Sequence, residues 1–366
     1  MPFHLYGNPG ICYVYSFLIV GIKRGYSKVA KTLSGKYCYS VNRTTNNNME
    51  RQIQRRKVVI AGAGSVGATY AYALAQSGVA EEIVLIDMNE ELLKGQVLDL
   101  VHGQPFFPTV SIRAGNDDDY GDASLVVITA GSAQKPGETR LQLLQKNAGI
   151  VGSIVEKVAR SGCNGVMLIV TNPVDVMTYV AFRYSGWERA RVVGSGTVLD
   201  SARLRHFISR HCGIDPHSVH AYVLGEHGDS EFAAWSMTHV GGISIDKYCP
   251  YCNKCEGWDE KKKWIEQQVR DSAYHIIDAK GSTYFAVGLA LVRITSSILR
   301  NQNSMLTVSV VPDGEYGLKN LAISIPSIVS GGGVDRLVSV PLPHDELEKL
   351  SHSALVIRKA IEETGI

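Results

Sequence analysis

Lys57-Val58-Val59-Ile60-Ala61-Gly62-Ala63-Gly64-Ser65-Val66-Gly67 sets a β-branched run against three glycines spaced G-x-G-x-x-G. An Ala- and Tyr-rich segment of helical character follows, Ala68 to Ser77, and a second apolar run, Ile83-Val84-Leu85-Ile86, ends in Asp87, 20 residues past Gly67. Each part has a task in a dinucleotide-binding βαβ unit. Gly62 permits the tight turn, Gly64 lets the backbone approach a pyrophosphate, and Gly67 lets helix and strand pack closely. The helix start then offers free N–H groups and a positive dipole end to the phosphates. Asp87 would accept hydrogen bonds from an adenosine ribose and repel a 2′-phosphate, which favours NAD over NADP. The competing reading is a tight turn in an α/β protein that binds nothing. A glycine triplet alone does not separate the two; the strand before it, the helix after it and the acid at this distance favour a cofactor site.

Outward from this unit, strands and helices alternate, as an α/β doubly wound parallel sheet of Rossmann type requires. A helical segment follows Asp87 and runs through Leu98, with strands expected at Val110–Ala114, Ser124–Ile128 and Val166–Val170. A long helix is expected from about Leu141 to Arg160. In such sheets ligands gather at the carboxyl ends of the strands, so Thr129-Ala130-Gly131 and Thr171-Asn172-Pro173-Val174-Asp175 are site candidates on position alone. Val192-Val193-Gly194-Ser195-Gly196 marks the expected change of domain. This gives a dinucleotide domain over 56–196 and an α+β substrate domain over 197–366. In the latter we expect a helix over Ser201–His211, a strand over Val219–Leu224, helices near Trp264–Ala279 and from about Thr283, and antiparallel strands at Leu306–Val311 and Ala322–Ile325. Leu347, Leu350, Ala354, Ile357 and Ile361 repeat at helical spacing. There are no internal repeats.

The chain of 366 residues is long enough for two sizeable cores, and 45% hydrophobic with 20% charged residues is ordinary for a globular protein. Its net charge of +2 is uneven: residues 1–56 carry nine cations against Glu50 alone, so the remainder is net −6. An acidic body argues against a nucleic-acid protein. Seven cysteines, an odd number scattered over a long chain, argue against a disulfide framework and fit a reducing cytoplasm. Cys249-x-x-Cys252-x-x-Cys255 has two metal-like spacings without an obvious fourth ligand alongside, and reads as reduced thiols before zinc.

Residues 1–55 read as an extension outside the fold. Gly10–Ile22 is apolar for 13 residues, too short to span a bilayer comfortably. It lacks the basic lead and cleavage site of a secretory signal, although scarce acids leave an organelle transit peptide open. Met49, just ahead of a polar lead-in to the first strand, is the expected translation start.

Four further stretches carry a family resemblance. Gln134-Lys135-Pro136-Gly137-Glu138-Thr139-Arg140, Asn172-Pro173-Val174-Asp175, Leu199-Asp200-Ser201-Ala202-Arg203 and Gly225-Glu226-His227-Gly228-Asp229-Ser230 resemble the L-lactate dehydrogenase family, in particular its bacterial branch. The likeness runs from about Arg56 to the end of the chain. It implies hydride exchange between NAD and a 2-hydroxy acid, pyruvate and L-lactate, the closing step of anaerobic glycolysis. By resemblance His227 is the acid/base, a role that needs a group titrating near neutrality, and Asp200 holds its other ring nitrogen. Arg203 would grip the substrate carboxylate with its planar fork, the plainer alternative being an internal salt bridge. Arg140 ends a loop similar to the family's mobile lid and would stabilise charge developing on the carbonyl oxygen; otherwise it is a solvated charge at a helix start.

Gln134 decides the substrate within this resemblance. Malate dehydrogenases carry arginine there, and a neutral Gln would leave a second carboxylate buried and unpaired. Thr283 matches the substrate-pocket threonine, though alone it could be a helix N-cap. Asn172 matches the residue that contacts both substrate and nicotinamide ribose. The cofactor track implied by the family takes in Gly62, Gly64, Val66, Gly67 and Asp87 from the first unit. It continues through Thr129, Gly131, Ser132, Val170, Asn172 and Ser195. Arg205 and His220 fall where bacterial relatives bind fructose 1,6-bisphosphate between subunits, which implies an allosteric homotetramer. The alternatives are a related L-2-hydroxy-acid or malate dehydrogenase, and a non-catalytic NAD-binding protein. The last should have lost His227, Arg203 or Arg140, and all three are present.

Overall fold

A computed structural model describes residues 56–132, 137, 139–252 and 257–365, together with two short strands, β1 (Ala30–Lys31) and β2 (Tyr37–Cys38), which pair antiparallel. The expectations placed on residues 1–55 (β1 and β2 apart), on Gln134 and on Cys255 lie outside the described residues. The chain forms two units, Met1–Ile53 and Gln54–Ile366, and the second carries everything that follows.

Its frame is an eight-stranded sheet. The parallel strands are β3 (Lys57–Ala61), β4 (Glu82–Ile86), β5 (Ser111–Ala114), β6 (Leu125–Ile128), β7 (Val166–Ile169) and β8 (Val192–Gly194), in the spatial order β8-β7-β6-β3-β4-β5. Residues 58–60 and 125–128 are wholly buried, as the continuous apolar runs of a sheet covered on both faces must be. Lys57, which opens β3, is buried too, and it is matched by Asp119 at 3.0 Å and Asp122 at 2.5 Å; a buried cation is tolerable only with such partners.

The connecting helices are α1 (Ser65–Ser77), α2 (Glu90–His102), α3 (Arg140–Arg160) and α4 (Val174–Ser185). The α1 helix takes in Gly67 and starts before the Ala-rich segment, and α2 runs through Asp99 to His102. Thr139 caps α3 in a reciprocal box with Gln142, so α3 begins at Arg140, one residue before the expected start.

Beyond residue 196, α5 (Val198–Cys212) is followed by β9 (Val219–His220) and β10 (Val223–Leu224). The strand expected over Val219–Leu224 is thus broken. Its first half pairs with β12 (His239–Val240), itself paired to β13 (Ile243–Ser244), and its second half with β11 (Phe232–Ala233). Two partners on different sides demand a bend between them. Short α6 (Ile245–Tyr248), long α7 (Trp258–Lys280) and apolar α8 (Phe285–Leu299) come next, and α8 packs on α1.

The run Leu306–Val311 also divides. β14 (Ser304–Leu306) joins a small sheet with β17 (Ser327–Ser330) and β18 (Gly333–Leu337), whereas β15 (Ser309–Val310) crosses to the main sheet. There it lies antiparallel beside β8, and β16 (Ile323–Ser324) closes that edge. We expected these strands to form a sheet of their own; the unpaired edge of β8 offers backbone donors and acceptors that they fill instead. The C-terminal α9 (His344–Thr364) buries Leu350, Ala354, Ile357 and Ile361 as its spacing predicts, whereas Leu347 in its first turn stays exposed; the helix packs on α3 and α4.

Candidate active site

The strand order reverses between β3 and β6, and the glycine turn stands at their carboxyl ends, the place where such sheets bind ligands. Thr129, just past β6, donates its hydroxyl to the Gly62 carbonyl at 3.0 Å, and a Cβ on Gly62, whose φ is +111°, would meet Ala130 N at 2.7 Å. A Cβ on Gly67 would sit 1.9 Å from the Gly62 oxygen, so this glycine is what lets α1 approach the turn. Gly64 differs: a Cβ there meets nothing within 4 Å, and no side chain caps the N-terminus of α1. Open space over an uncapped helix start is the arrangement an anionic ligand fills. Asp87, at the end of β4, accepts from Ala63 N at 2.7 Å and from Asn89 N at 2.9 Å, which fixes its carboxylate beside the turn.

These two glycines yield a paired expectation. Gly67→Ala should lose about 1–3 kcal/mol of stability, because one methyl forces α1 off the strand. Gly64→Ala should melt like the parent yet bind NADH more weakly. Thermal melts and NADH titration check both, and a Gly64→Ala protein with full NADH affinity would show that this face is not the phosphate site.

The neighbouring strand ends continue the track. Val170 N bonds Ile128 O and Ser195 N bonds Ile169 O, extending the ladders of β7 and β8 by one residue each. A Cβ on Gly131 would press on Thr171 at 2.6 Å. Ser132 N donates to Asn147 Oδ1 at 2.8 Å, and Asn147 Nδ2 donates to Asn172 O at 3.1 Å. The buried Asn147 on α3 therefore ties two strand-end loops together. Val66 packs against the core from the first turn of α1.

The second half of the site is a buried ionic cluster. Asp200 in the first turn of α5, 1% exposed, faces two partners: its Oδ2 meets His227 Nδ1 at 2.6 Å and its Oδ1 accepts from Arg203 Nη1 at 2.8 Å. Residues three apart on a helix share a face, which is how Arg203 reaches Asp200. Asp175, buried at the start of α4, accepts the His227 backbone N–H at 2.7 Å and the Ser309 hydroxyl at 2.5 Å. The histidine is thus held at its ring and at its backbone, while its side chain stays 24% exposed.

Electrostatics follow from this packing. Burial works against the imidazolium, yet Asp200, through charge and hydrogen bond, then Glu231 and Asp175 outweigh it and hold the His227 pKa at about 9. Burial likewise pushes against the Asp200 carboxylate, but His227 and Arg203 keep it below the usual range. Burial outweighs the two hydrogen bonds of Asp175 and the pull of the His227 charge, and raises its pKa to about 6.

The other expected residues are placed as follows. Arg140 is exposed in the first turn of α3, and its charge acts on Tyr274, whose hydroxyl donates to Asp229 at 2.7 Å. Asn172 is exposed at the end of β7. Thr283 lies in the link between α7 and α8, and it is not an N-cap: Tyr284 holds that position with no side-chain hydrogen bond. The salt-bridge alternative for Arg203 is present in the structure, using one of the guanidinium's five donors. Arg205 donates to Ala221 O at 3.2 Å and lines a cavity of about 320 Å³ with Tyr222 and Arg293. His220 is exposed beside a second cavity of about 490 Å³, which Tyr222 and His239 also line.

Residues 56–194 match the profile of the lactate/malate dehydrogenase NAD binding domain, and residues 197–365 that of the lactate/malate dehydrogenase alpha/beta C-terminal domain. The chain belongs to the lactate/malate dehydrogenase family. An L-lactate dehydrogenase of Treponema denticola is 55% identical over 312 residues, covering 85% of this chain and 98% of the relative. One from Thermoanaerobacter sp. is 48% identical over 310 residues, covering 85% and 99%. Among solved structures, a lactate dehydrogenase from a Medee basin deep-sea metagenome library superposes with a TM-score of 0.83 at 44% identity, over 85% of this chain and 99% of that one. The minor L-lactate dehydrogenase of Enterococcus mundtii, in a ligands-bound form, gives 0.81 at 42% identity, over 84% and 98%.

As a member of this family the chain carries an NAD-binding domain, and the open face above Gly64 with the uncapped α1 fits that cofactor. The lactate/malate dehydrogenase motifs also left residues unassigned. Asp175 ends the Asn-Pro-Val-Asp motif, and Glu231 directly follows Gly-Glu-His-Gly-Asp-Ser, so both were adjacent to a signal. Asn147 had none, being a polar residue on a long amphipathic helix.

Proposed function

We propose that this chain is an NAD-dependent L-lactate dehydrogenase interconverting pyruvate and L-lactate. The observation that carries the reading is the Asp200 carboxylate shared between His227 and Arg203, in a chain 55% identical to a relative named for that activity. NAD, when bound, supplies or receives the hydride.

His227 holds the proton. Its Nδ1 is engaged by Asp200, which leaves Nε2 to give a proton to the carbonyl oxygen or take one from the hydroxyl. With a pKa of about 9 the ring is protonated at neutral pH, the state that reduction of pyruvate needs. The sign is definite: reduction holds below about pH 9 and is lost as the pH rises through it, and lactate oxidation gains over the same interval.

Arg203 keeps donors beyond the one given to Asp200 and grips the substrate carboxylate with them. Arg140 stabilises charge on the carbonyl oxygen in the transition state. Asn172, Thr283 and Gln134 complete the pocket, and Gln134, being neutral, favours a small uncharged substituent over a second carboxylate. The track from Gly62 through Asp87, Thr129 and Ser132 to Ser195 holds the cofactor.

The reading extends to regulation and assembly. Arg205 and His220, with Arg293 and His239 close by, form a cationic region suited to fructose 1,6-bisphosphate. Exposed Tyr72, Phe285 and Leu289 on α1 and α8 support association into a homotetramer. No described helix is long and apolar enough to cross a membrane, and seven scattered cysteines, an odd number, fit a reducing, cytoplasmic setting. Steady-state NADH oxidation with pyruvate, oxaloacetate and 2-oxoisocaproate tests the assignment, run with and without the bisphosphate. Pyruvate should give the highest kcat/KM. A preference for oxaloacetate would point to the malate branch, and kinetics and sedimentation unchanged by the bisphosphate would remove the allosteric proposal.

A further inference from the structure

Glu231 is the buried carboxyl that the proposed chemistry leaves unused. It starts the segment leading into β11, is 5% exposed, and accepts no side-chain hydrogen bond and forms no ion pair among the described residues. One of its oxygens lies within 4.8 Å of a His227 ring nitrogen and of an Asp200 oxygen. Its other surroundings are Arg203 from α5 and Arg270 from α7. It also lines a cavity of about 10 Å³ together with Arg270 and Glu266 of α7. That space is about one water in size.

A carboxylate accepting two hydrogen bonds and a carboxyl accepting none cannot titrate alike in one buried cluster. Asp200 keeps its charge through His227 and Arg203. Burial and the adjoining Asp200 charge drive Glu231 well above the usual carboxylate range, against the pull of His227, Arg203 and Arg270. Around the histidine stand Asp200 and Arg203 on α5, Asp175 on α4, Glu226 and Glu231 on its own segment, and Arg270 and Glu266 on α7.

We propose that Glu231 is a positioning residue for the His227 proton: its buried carboxyl lies within 4.8 Å of the ring, and in its ionised form it keeps the imidazolium from losing its proton. The alkaline limit of pyruvate reduction is then set jointly by Asp200 and Glu231. This rests on the lactate dehydrogenase reading only for its kinetic consequence; the histidine titration can be followed in the protein without substrate or cofactor.

The test is Glu231→Gln, which resembles the neutral acid and cannot become a carboxylate. NMR titration of the His227 ring should show its pKa lowered by about one unit, the scale expected for one charge lost at this separation in a partly screened site. The alkaline limb of kcat/KM for pyruvate should move down by the same interval, with activity at pH 7 and NADH affinity near those of the parent. Glu231→Asp should keep most of the shift, and Glu266→Gln should leave the titration in place. Should Glu231→Gln not fold, Glu231→Ser removes the same charge and carries the same expectation. An unchanged His227 titration overturns the proposal, as does an equal shift in Glu266→Gln. A shifted titration in a protein inactive on pyruvate would leave Glu231 in its role and sink the substrate assignment instead.

Discussion

His227→Gln should lower kcat/KM for pyruvate by about 10²–10⁴-fold, the usual worth of a positioned general acid, with NADH affinity and melting temperature near those of the parent. The separation is expected from the structure. The ring occupies the end of the ionic cluster, and the backbone N–H bonded to Asp175 survives the substitution. Asp200 keeps its bond to Arg203, so no carboxylate is stranded without a partner and the fold is not asked to absorb an unpaired charge. Because the lost interaction is a proton in flight, turnover should fall further than pyruvate binding. Stopped-flow NADH oxidation and equilibrium NADH fluorescence measure the two halves independently. A variant retaining a tenth of the parental kcat/KM would exclude His227 as the proton donor.

Arg203→Lys should raise KM for pyruvate by about two orders of magnitude, since charged hydrogen bonds to a buried carboxylate are each worth roughly 1.5–3 kcal/mol. The salt bridge to Asp200 sharpens the prediction. If Arg203 served that bridge alone, lysine could replace it: an ammonium reaches a single carboxylate oxygen as well as a guanidinium does. The parent geometry uses one N–H on Asp200 and leaves the remaining donors for a ligand, whereas an ammonium on a flexible stem offers no second arm in a fixed plane. A Lys variant with near-parental KM would reduce Arg203 to a brace for Asp200. One with KM raised and the His227 titration intact would establish both tasks for the same side chain.

Much of this was readable from residue order, for physical reasons that differ by region. The β3–α1–β4 unit is legible because its demands are local: a strand needs a β-branched run, a close crossing needs Gly67, and a ribose needs an acid where β4 ends. Asp200 and Arg203 were legible as a pair because helical spacing puts them on one face. What could not be read were relations between distant segments. Nothing in Leu306–Val311 announces that its second half crosses to β8, because that depends on an open edge more than a hundred residues upstream. Glu231 has the composition of any strand-flanking acid until α5 and α7 close around it. In the sequence a bridge to Asp200 and a grip on a ligand compete for Arg203, yet a guanidinium has enough donors for both.

The seam between β8 and β15 has a consequence for how the protein can be taken apart. Ser309 pairs with Gly194, a Cβ on Gly196 would meet the Ser309 amide at 2.5 Å, and Thr197 N bonds Thr307 O, so the nucleotide half borrows its last rungs from chain made a hundred residues later. A fragment ending near residue 196 would carry the whole glycine turn and still leave a raw hydrogen-bonding flank, a template for sticking to its own copies. The two halves are separable on paper and stitched in fact. A swap with another dehydrogenase would have to trade the stitching along with the cloth.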